Sequence, residues 1–311
     1  MRRVLEKQGA LVALAALMIF ATMRYETFLT PENLLNVLRQ NSMGGLIAIG
    51  MTFVILSGGI DLSVGALLAV GGAVAAEVSP HGSALAIAVA VFATSVLGMV
   101  NGLVVTRGRV QPFITTLAMM FAARGLILVH THEASVRIDH SAETLIWLGR
   151  GWLGPIPVPV ILLFACFALA WFVLAHTRFG RHVYAVGDSD DAARLMGLDV
   201  DRVRLGVYIV SGALAGFAGV LLAARLGTGQ PVAGAGWELN AITAVVVGGT
   251  LLSGGHGNVL QTLVGVLLLG FILNVFNLEG TISSYWQWVL RGAFLLIVVV
   301  IQNRLAAKGK T

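Results

Sequence analysis

The chain has 311 residues, 57% of them apolar and only 11% charged, with 20 basic and 15 acidic side chains and a formal net charge of +5. An ordinary soluble domain carries about 25% charged residues, so this chain cannot coat a water-soluble globule of its own mass. A soluble enzyme is excluded, as are a disordered chain, for lack of polarity, and a disulfide scaffold, because Cys166 has no partner. The uncharged stretches 78–106, 151–177, 205–224 and 239–278 are long and show no alternation of polar with apolar residues. Helical crossings of about 20 residues fit them, and the short alternating strands of a membrane barrel do not. The chain reads as an all-α integral membrane protein, one transmembrane domain over 1–311.

Taken in order, Arg2, Arg3 and Lys7 precede an apolar run over 9–23. That pattern opens a secretory signal peptide as well as a first span, but Arg24, Tyr25 and Glu26 close the run without a small-residue cleavage site. It is read as an uncleaved span. Further spans are predicted near 41–57, 62–77, 83–105, 112–130, 158–176, 205–225, 240–253, 257–276 and 286–302, about ten in all. With both termini cytoplasmic, most of the basic residues fall on inner loops, as the positive-inside rule requires. The charge then needs no nucleic-acid partner. Gly58–Asp61 carries no basic residue to mark an inner turn, so a broken or re-entrant helix is expected within 43–77; the span at 240–253 is short for a full crossing. Irregular backbone at membrane depth must be buried in protein or line a wet cavity, which makes both places candidates for a translocation pathway. The tetrapeptide Leu-Ser-Gly-Gly stands in each, at Leu56–Gly59 and Leu252–Gly255. Duplication of a transporter half and chance in a glycine-rich chain both account for it.

The longest polar stretch assigned to the inner side is Arg178–Arg204. Asp188 or Ser189 suits an N-cap, Asp190 and Asp191 suit the positive end of a helix dipole, and Gly197 stands where a left-handed C-cap belongs. The segment therefore specifies a short helix with Ala192 and Ala193 as a smooth face and Leu195 and Met196 as apolar knobs. A helix of two turns is marginal alone and needs something to pack against. Its own protein and a cytosolic partner both qualify.

The loop residues Gly180, Gly187, Ala192, Ala193 and Gly197 form a pattern that resembles the ATPase-contacting loop of bacterial ABC importer permeases, nearest the ribose/xylose/arabinose branch. The segments Gly45–Ala66, Asn101–Val105, Gln111–Met120 and Trp237–Gly265 resemble the same family, over roughly residues 30–302. Within it, Gly248–Gly255 and Glu279–Trp286 are most similar to galactofuranose-type permeases. Asn240 stands where the family usually has an acidic residue. The resemblance implies about ten helices, a homodimer or a pair with a similar permease, a cytosolic ATPase docked on the loop (with Asp188 and Met196 among the coupling residues) and a periplasmic sugar-binding protein at the outer face of a bacterial inner membrane. The implied activity is ATP-driven sugar import.

The residues themselves supply no chemistry for ATP. A phosphate cradle ends in Lys-Ser/Thr after a glycine-rich loop, and Gly309-Lys310-Thr311 imitates only its end, with Arg304 where the first glycine belongs. No catalytic residue or cofactor is expected. A self-sufficient secondary transporter, the alternative reading, would carry ionisable groups inside its spans; Asp61, Arg124 and Arg291 are the candidates, with helix capping and a pathway role both open for Asp61. A passive channel or receptor-like module is the third reading. His130 and His132 flank a helix end and are not read as a metal site. Trp147, Trp152, Trp237, Tyr285, Trp286 and Trp288 fit an interfacial aromatic belt, and some would face a docked protein. Gln40, Asn41, Asp61, Glu238 and Asn240 are the candidate pathway residues.

Overall fold

The computed structural model describes residues 2–280, together with Trp286, Val289, Gly292, Ala293 and Leu296. The span predicted at 286–302 therefore lies largely outside the described residues. Twelve helices follow one another among the residues described: α1 (Arg2–Arg24), α2 (Pro31–Leu56), α3 (Val64–Val78), α4 (Ser83–Thr106), α5 (Pro112–Thr131), α6 (Glu143–Arg150), α7 (Val158–His176), α8 (Arg178–Asp188), α9 (Asp190–Leu195), α10 (Val200–Leu226), α11 (Trp237–Val247) and α12 (Val259–Glu279). Among the described residues, six segments are long and apolar enough to cross a membrane: Val64–His81, α4, α5, α7, α10 and α12. Helix α11 is apolar but has only 11 residues.

Helix α2 departs from its predicted start at 41. It begins at Pro31, because Thr30 accepts a hydrogen bond from the Asn33 N–H and Pro31 occupies a first-turn position, where a proline ring is pre-set for the helix. Residues 32–41 are polar enough to resemble a loop in sequence, yet they form its first turns. Helix α10 likewise starts at Val200, capped by Asp199, ahead of the predicted 205. The predicted 240–253 span ends at Val247, and the segment 248–258 is irregular, with Gly249, Gly254, Gly255 and Gly257 at positive φ. Two minute antiparallel ribbons interrupt the all-helical reading: Val136–Arg137 pairs with Thr228–Gly229, and Trp152–Leu153 with Ile156–Pro157. They lie in connections, the first joining two distant ones and the second a local hairpin, and each gives backbone groups a partner.

Helix α10 is the centre of the molecule, packed against α2, α3 and α4. Small residues set the spacing. A methyl group on Gly71 would lie 2.6 Å from Gly216 Cα, and one on Gly98 would lie 2.3 Å from the Tyr208 carbonyl oxygen. In lipid there is no hydrophobic drive between helices, so this close backbone approach and its dispersion contacts do the holding. A buried hydroxyl pair adds to it, Thr52 Oγ1 to Thr262 Oγ1 at 2.9 Å between α2 and α12. Helix α1, through Ala21, and the connection after it, through Phe28, pack with Phe271 of α12, and the Tyr25 hydroxyl donates to Glu279.

Candidate functional site

Helix α9 is fixed by local chemistry at both ends. Ser189 Oγ accepts from the Ala192 N–H, and Gly197, at φ +81°, turns the chain out of the helix. Arg204 pairs with Asp190 at 2.7 Å and Arg194 with Asp201 at 2.6 Å, which ties α9 to the start of α10. Only Ala193 departs from the face expected from the sequence, and Ala192 beside it is exposed. Ala193 is fully buried against the rest of the chain, so it offers no surface to a partner, whereas Leu195 and Met196 are 89% and 69% exposed. Six residues are too few for a period to show which side faces inward; packing decides it.

Helix α8 carries Gly187 to a point where three distant segments meet. The Gly255 N–H donates to the Leu56 carbonyl at 3.0 Å. A methyl on Gly187 would lie 1.7 Å from that same carbonyl oxygen and 2.6 Å from the Gly255 nitrogen, and one on Gly254 would lie 2.8 Å from the Gly187 carbonyl oxygen. The Tyr184 hydroxyl donates to the Gly257 carbonyl at 3.0 Å. The two Leu-Ser-Gly-Gly segments are thus joined to one another and to α8. Gly180 acts elsewhere on the same helix. A methyl there would lie 2.4 Å from the carbonyl oxygens of Val173 and Leu174, so the glycine permits the sharp bend between α7 and α8.

Between α2 and α3 the chain runs irregularly through residues 57–63, and Ser57, Asp61 and Ser63 are buried. Asp61 Oδ1 accepts from the Ser63 N–H at 2.9 Å and the Ser63 hydroxyl at 2.6 Å, and Oδ2 accepts from the Ser211 hydroxyl at 2.8 Å. Asn101 donates to Ser63 at 3.0 Å, and Thr116 bridges the Ile60 carbonyl and the Leu62 N–H. Asp61 thus caps the turn into α3 and links it to α10. Arg124 is also structural. Its guanidinium donates to the carbonyls of Pro231 and Ala233 and, at 3.2 Å, to that of Gly65. His130 pairs with Glu77 at 2.8 Å.

A cavity of about 270 Å³ lies between the first turns of α2 and α11 and the C-terminal half of α12. Gln40, Asn41 and Asn240 line it; Asp61 and Glu238 do not. Glu238 instead accepts from the Gly236 N–H at 3.2 Å, closing the turn into α11. Trp237, Thr243 and Asn274 complete the polar and aromatic lining. Thr243 and Asn274 are not among the residues expected from sequence, although polar residues inside apolar runs are themselves a signal. Asn274 exchanges reciprocal amide hydrogen bonds with Asn33, at 2.8 and 3.0 Å, tying α12 to α2 beside the cavity.

Residues 33–299 match the family described as branched-chain amino acid transport system / permease component. The ribose import permease protein of Escherichia coli K12 is 42% identical over 304 residues, spanning 96% of this chain and 94% of that protein. The ribose import permease protein of Bacillus subtilis is 44% identical over 306 residues, spanning 98% and 95%. The L-arabinose ABC transporter permease protein of Azospirillum brasilense is 37% identical over 296 residues, spanning 94% and 86%. No solved structure matches the chain. The chain belongs to this family of membrane permease components.

Proposed function

We propose, from its place in that family, that the chain is the membrane-spanning subunit of an ATP-driven sugar importer of the ribose and arabinose class in a bacterial inner membrane. The observation that carries the reading is its near end-to-end likeness to ribose and arabinose permeases. Ten crossings follow if α1, α2, α11 and the apolar stretch at 286–302 join the six long apolar segments, with both termini cytoplasmic. ATP is hydrolysed by a separate cytosolic subunit, which docks on the α8–α9 loop; Leu195 and Met196 are the apolar contacts, and Gly180, Gly187, Asp188, Ala192, Ala193 and Gly197 shape the loop. Two permease chains pair, and a periplasmic binding protein delivers the sugar. Movement of α9 reaches the spans through Gly187, which abuts both Leu56 and Gly255. The sugar passes Gln40, Asn41 and Asn240.

The test is purification of the tagged chain in mild detergent with its co-purifying proteins identified, followed by reconstitution in liposomes. An ATPase partner and pentose uptake that requires ATP are expected. Uptake by the chain alone on a proton or sodium gradient would overturn the reading in favour of a secondary transporter.

A further inference from the structure

The cavity between α2, α11 and α12 has a composition that selects for one kind of occupant. Among the described residues its lining carries the amides of Gln40, Asn41 and Asn240, the Thr243 hydroxyl and the indole of Trp237, and no charged side chain. Gln40 and Asn240 have no intramolecular side-chain hydrogen bond among the described residues, so their donors and acceptors are free for a ligand. Asn41 spends its N–H on the Val37 carbonyl at 2.8 Å and Thr243 its O–H on the Leu239 carbonyl at 2.7 Å, which leaves both with acceptor lone pairs. An ion would meet no counter-charge here, and a hydrocarbon would leave the amides unpaired at a cost. A neutral polyhydroxylated molecule satisfies both, with its C–H face on the indole and its hydroxyls on the amides. The volume of about 270 Å³ falls just below the roughly 300–1,000 Å³ usual for drug-sized ligands, which suits one monosaccharide.

Two glycines build the space. Gly270 lets the Asn41 amide lie flat on α12, because a methyl there would sit 2.4 Å from the amide nitrogen. Gly44 lines the cavity, and a methyl on it would touch nothing within 4 Å. A glycine inside a helix costs about 0.5–1 kcal/mol relative to alanine, and at Gly44 no neighbouring atom requires that cost.

We infer that this cavity is a binding subsite for a single neutral monosaccharide within one permease chain, a station on the route rather than a bare channel wall. This rests on the sugar-import reading and adds a defined place where the sugar pauses.

Gly44 also supplies the test. A Cβ at Gly44 would meet nothing within 4 Å, so Gly44→Leu starts a bulky side chain from open space on the cavity lining, and its elution profile checks that it folds. The wild-type chain in nanodiscs is probed with D-ribose, L-arabinose, maltose and L-leucine by saturation-transfer NMR, which detects weak binding. Both pentoses are expected to give a saturable signal that maltose and leucine do not compete away, and Gly44→Leu and Asn240→Leu to weaken it by about tenfold or more, with elution from a sizing column unchanged. A pentose signal of wild-type strength in Gly44→Leu, or none in the wild type, overturns the subsite. ATP-dependent uptake by the reconstituted importer keeps the two ideas apart. Wild-type uptake in Gly44→Leu removes the subsite and leaves the import reading standing, whereas a wild-type complex that takes up no pentose on ATP removes the import reading.

Discussion

Replacing Gly187 by alanine puts the junction of α8 with the two glycine turns under direct strain. The new methyl would lie 1.7 Å from the Leu56 carbonyl oxygen and 2.6 Å from the Gly255 nitrogen. Both are backbone atoms, so no side-chain rotation relieves the overlap, and one segment must move by an ångström or more. That movement breaks the Gly255 N–H to Leu56 hydrogen bond, now 3.0 Å. Overpacking of this kind costs about 1–3 kcal/mol and a lost hydrogen bond about 0.5–1.5 kcal/mol. Alanine returns about 0.5–1 kcal/mol of helix propensity, so the net loss is about 2 kcal/mol. Gly125→Ala in α5 is the control, because a methyl there meets nothing within 4 Å; it should be neutral or stabilising. Thermal unfolding of the purified chains in detergent, followed by loss of the monodisperse elution peak, reads the difference. A midpoint for Gly187→Ala equal to that of Gly125→Ala would refute the junction as a tight joint. In the reconstituted importer the same variant should transport fewer sugars per ATP, because displacing Leu56 or Gly255 loosens the link from α9.

Four further outcomes follow from the site geometry. Leu195→Glu combined with Met196→Glu changes side chains that are 89% and 69% exposed; stability should stay within about 0.5 kcal/mol while the ATPase no longer co-purifies, and its retention would locate docking elsewhere. Ala193→Asp, at a fully buried position, should instead deplete folded protein, seen as loss of the monodisperse peak. Arg124→Ala strands the carbonyls of Pro231, Ala233 and Gly65 and should cost about 2–4 kcal/mol in thermal stability, since charge-assisted hydrogen bonds are the stronger kind; Arg124→Lys should recover only part of it, because a point charge cannot fork between carbonyls. Asp61→Asn keeps an acceptor for the Ser63 N–H, whereas Asp61→Ala removes the partner of that N–H and of the Ser63 and Ser211 hydroxyls. Alanine should be less stable than asparagine by about 1–3 kcal/mol, and ATP-driven uptake should survive in Asp61→Asn. Loss of uptake in a well-folded Asp61→Asn would mean that the carboxylate charge itself takes part in transport.

The parts legible in the sequence are those that local chemistry decides. Helix α7 is announced by an uncharged run opening on prolines, and the cap of α9 by Ser189 followed by two aspartates. The first turns of α2 are not legible, because Glu32, Arg39, Gln40 and Asn41 look like a loop until the cavity that Gln40 and Asn41 line is known. Asp61 and Glu238 group with Gln40, Asn41 and Asn240 on polarity alone. Packing separates them, giving Asp61 to the turn into α3 and Glu238 to the turn into α11. Trp237 illustrates the same limit: its sequence position suits an interfacial belt, and only the approach of α2 and α12 shows its second role as a cavity wall.

The repeated Leu-Ser-Gly-Gly shows how a sequence can state a question that only packing answers. Gly58 and Gly254 both sit at positive φ, of +82° and +86°, a backbone shape that side chains rarely tolerate. A methyl on Gly254 would lie 2.9 Å from the Gly58 nitrogen as well as 2.8 Å from the Gly187 carbonyl oxygen. Gly254 therefore needs glycine for two reasons, a left-handed turn and direct backbone contact at the junction, whereas Gly58 needs it for the turn alone, since a methyl there would meet only the Ser253 carbonyl oxygen at 3.9 Å. Common ancestry of two halves is compatible with this, but the left-handed turns and the contact at Gly254 suffice to hold these glycines in place. Because α2 and α3 flank one turn and α11 and α12 the other, the backbone contacts of α8 lie beside the ends of four helices, at a junction where glycines meet backbone directly. Side-chain rotamers yield to a push, whereas backbone held against backbone passes it on.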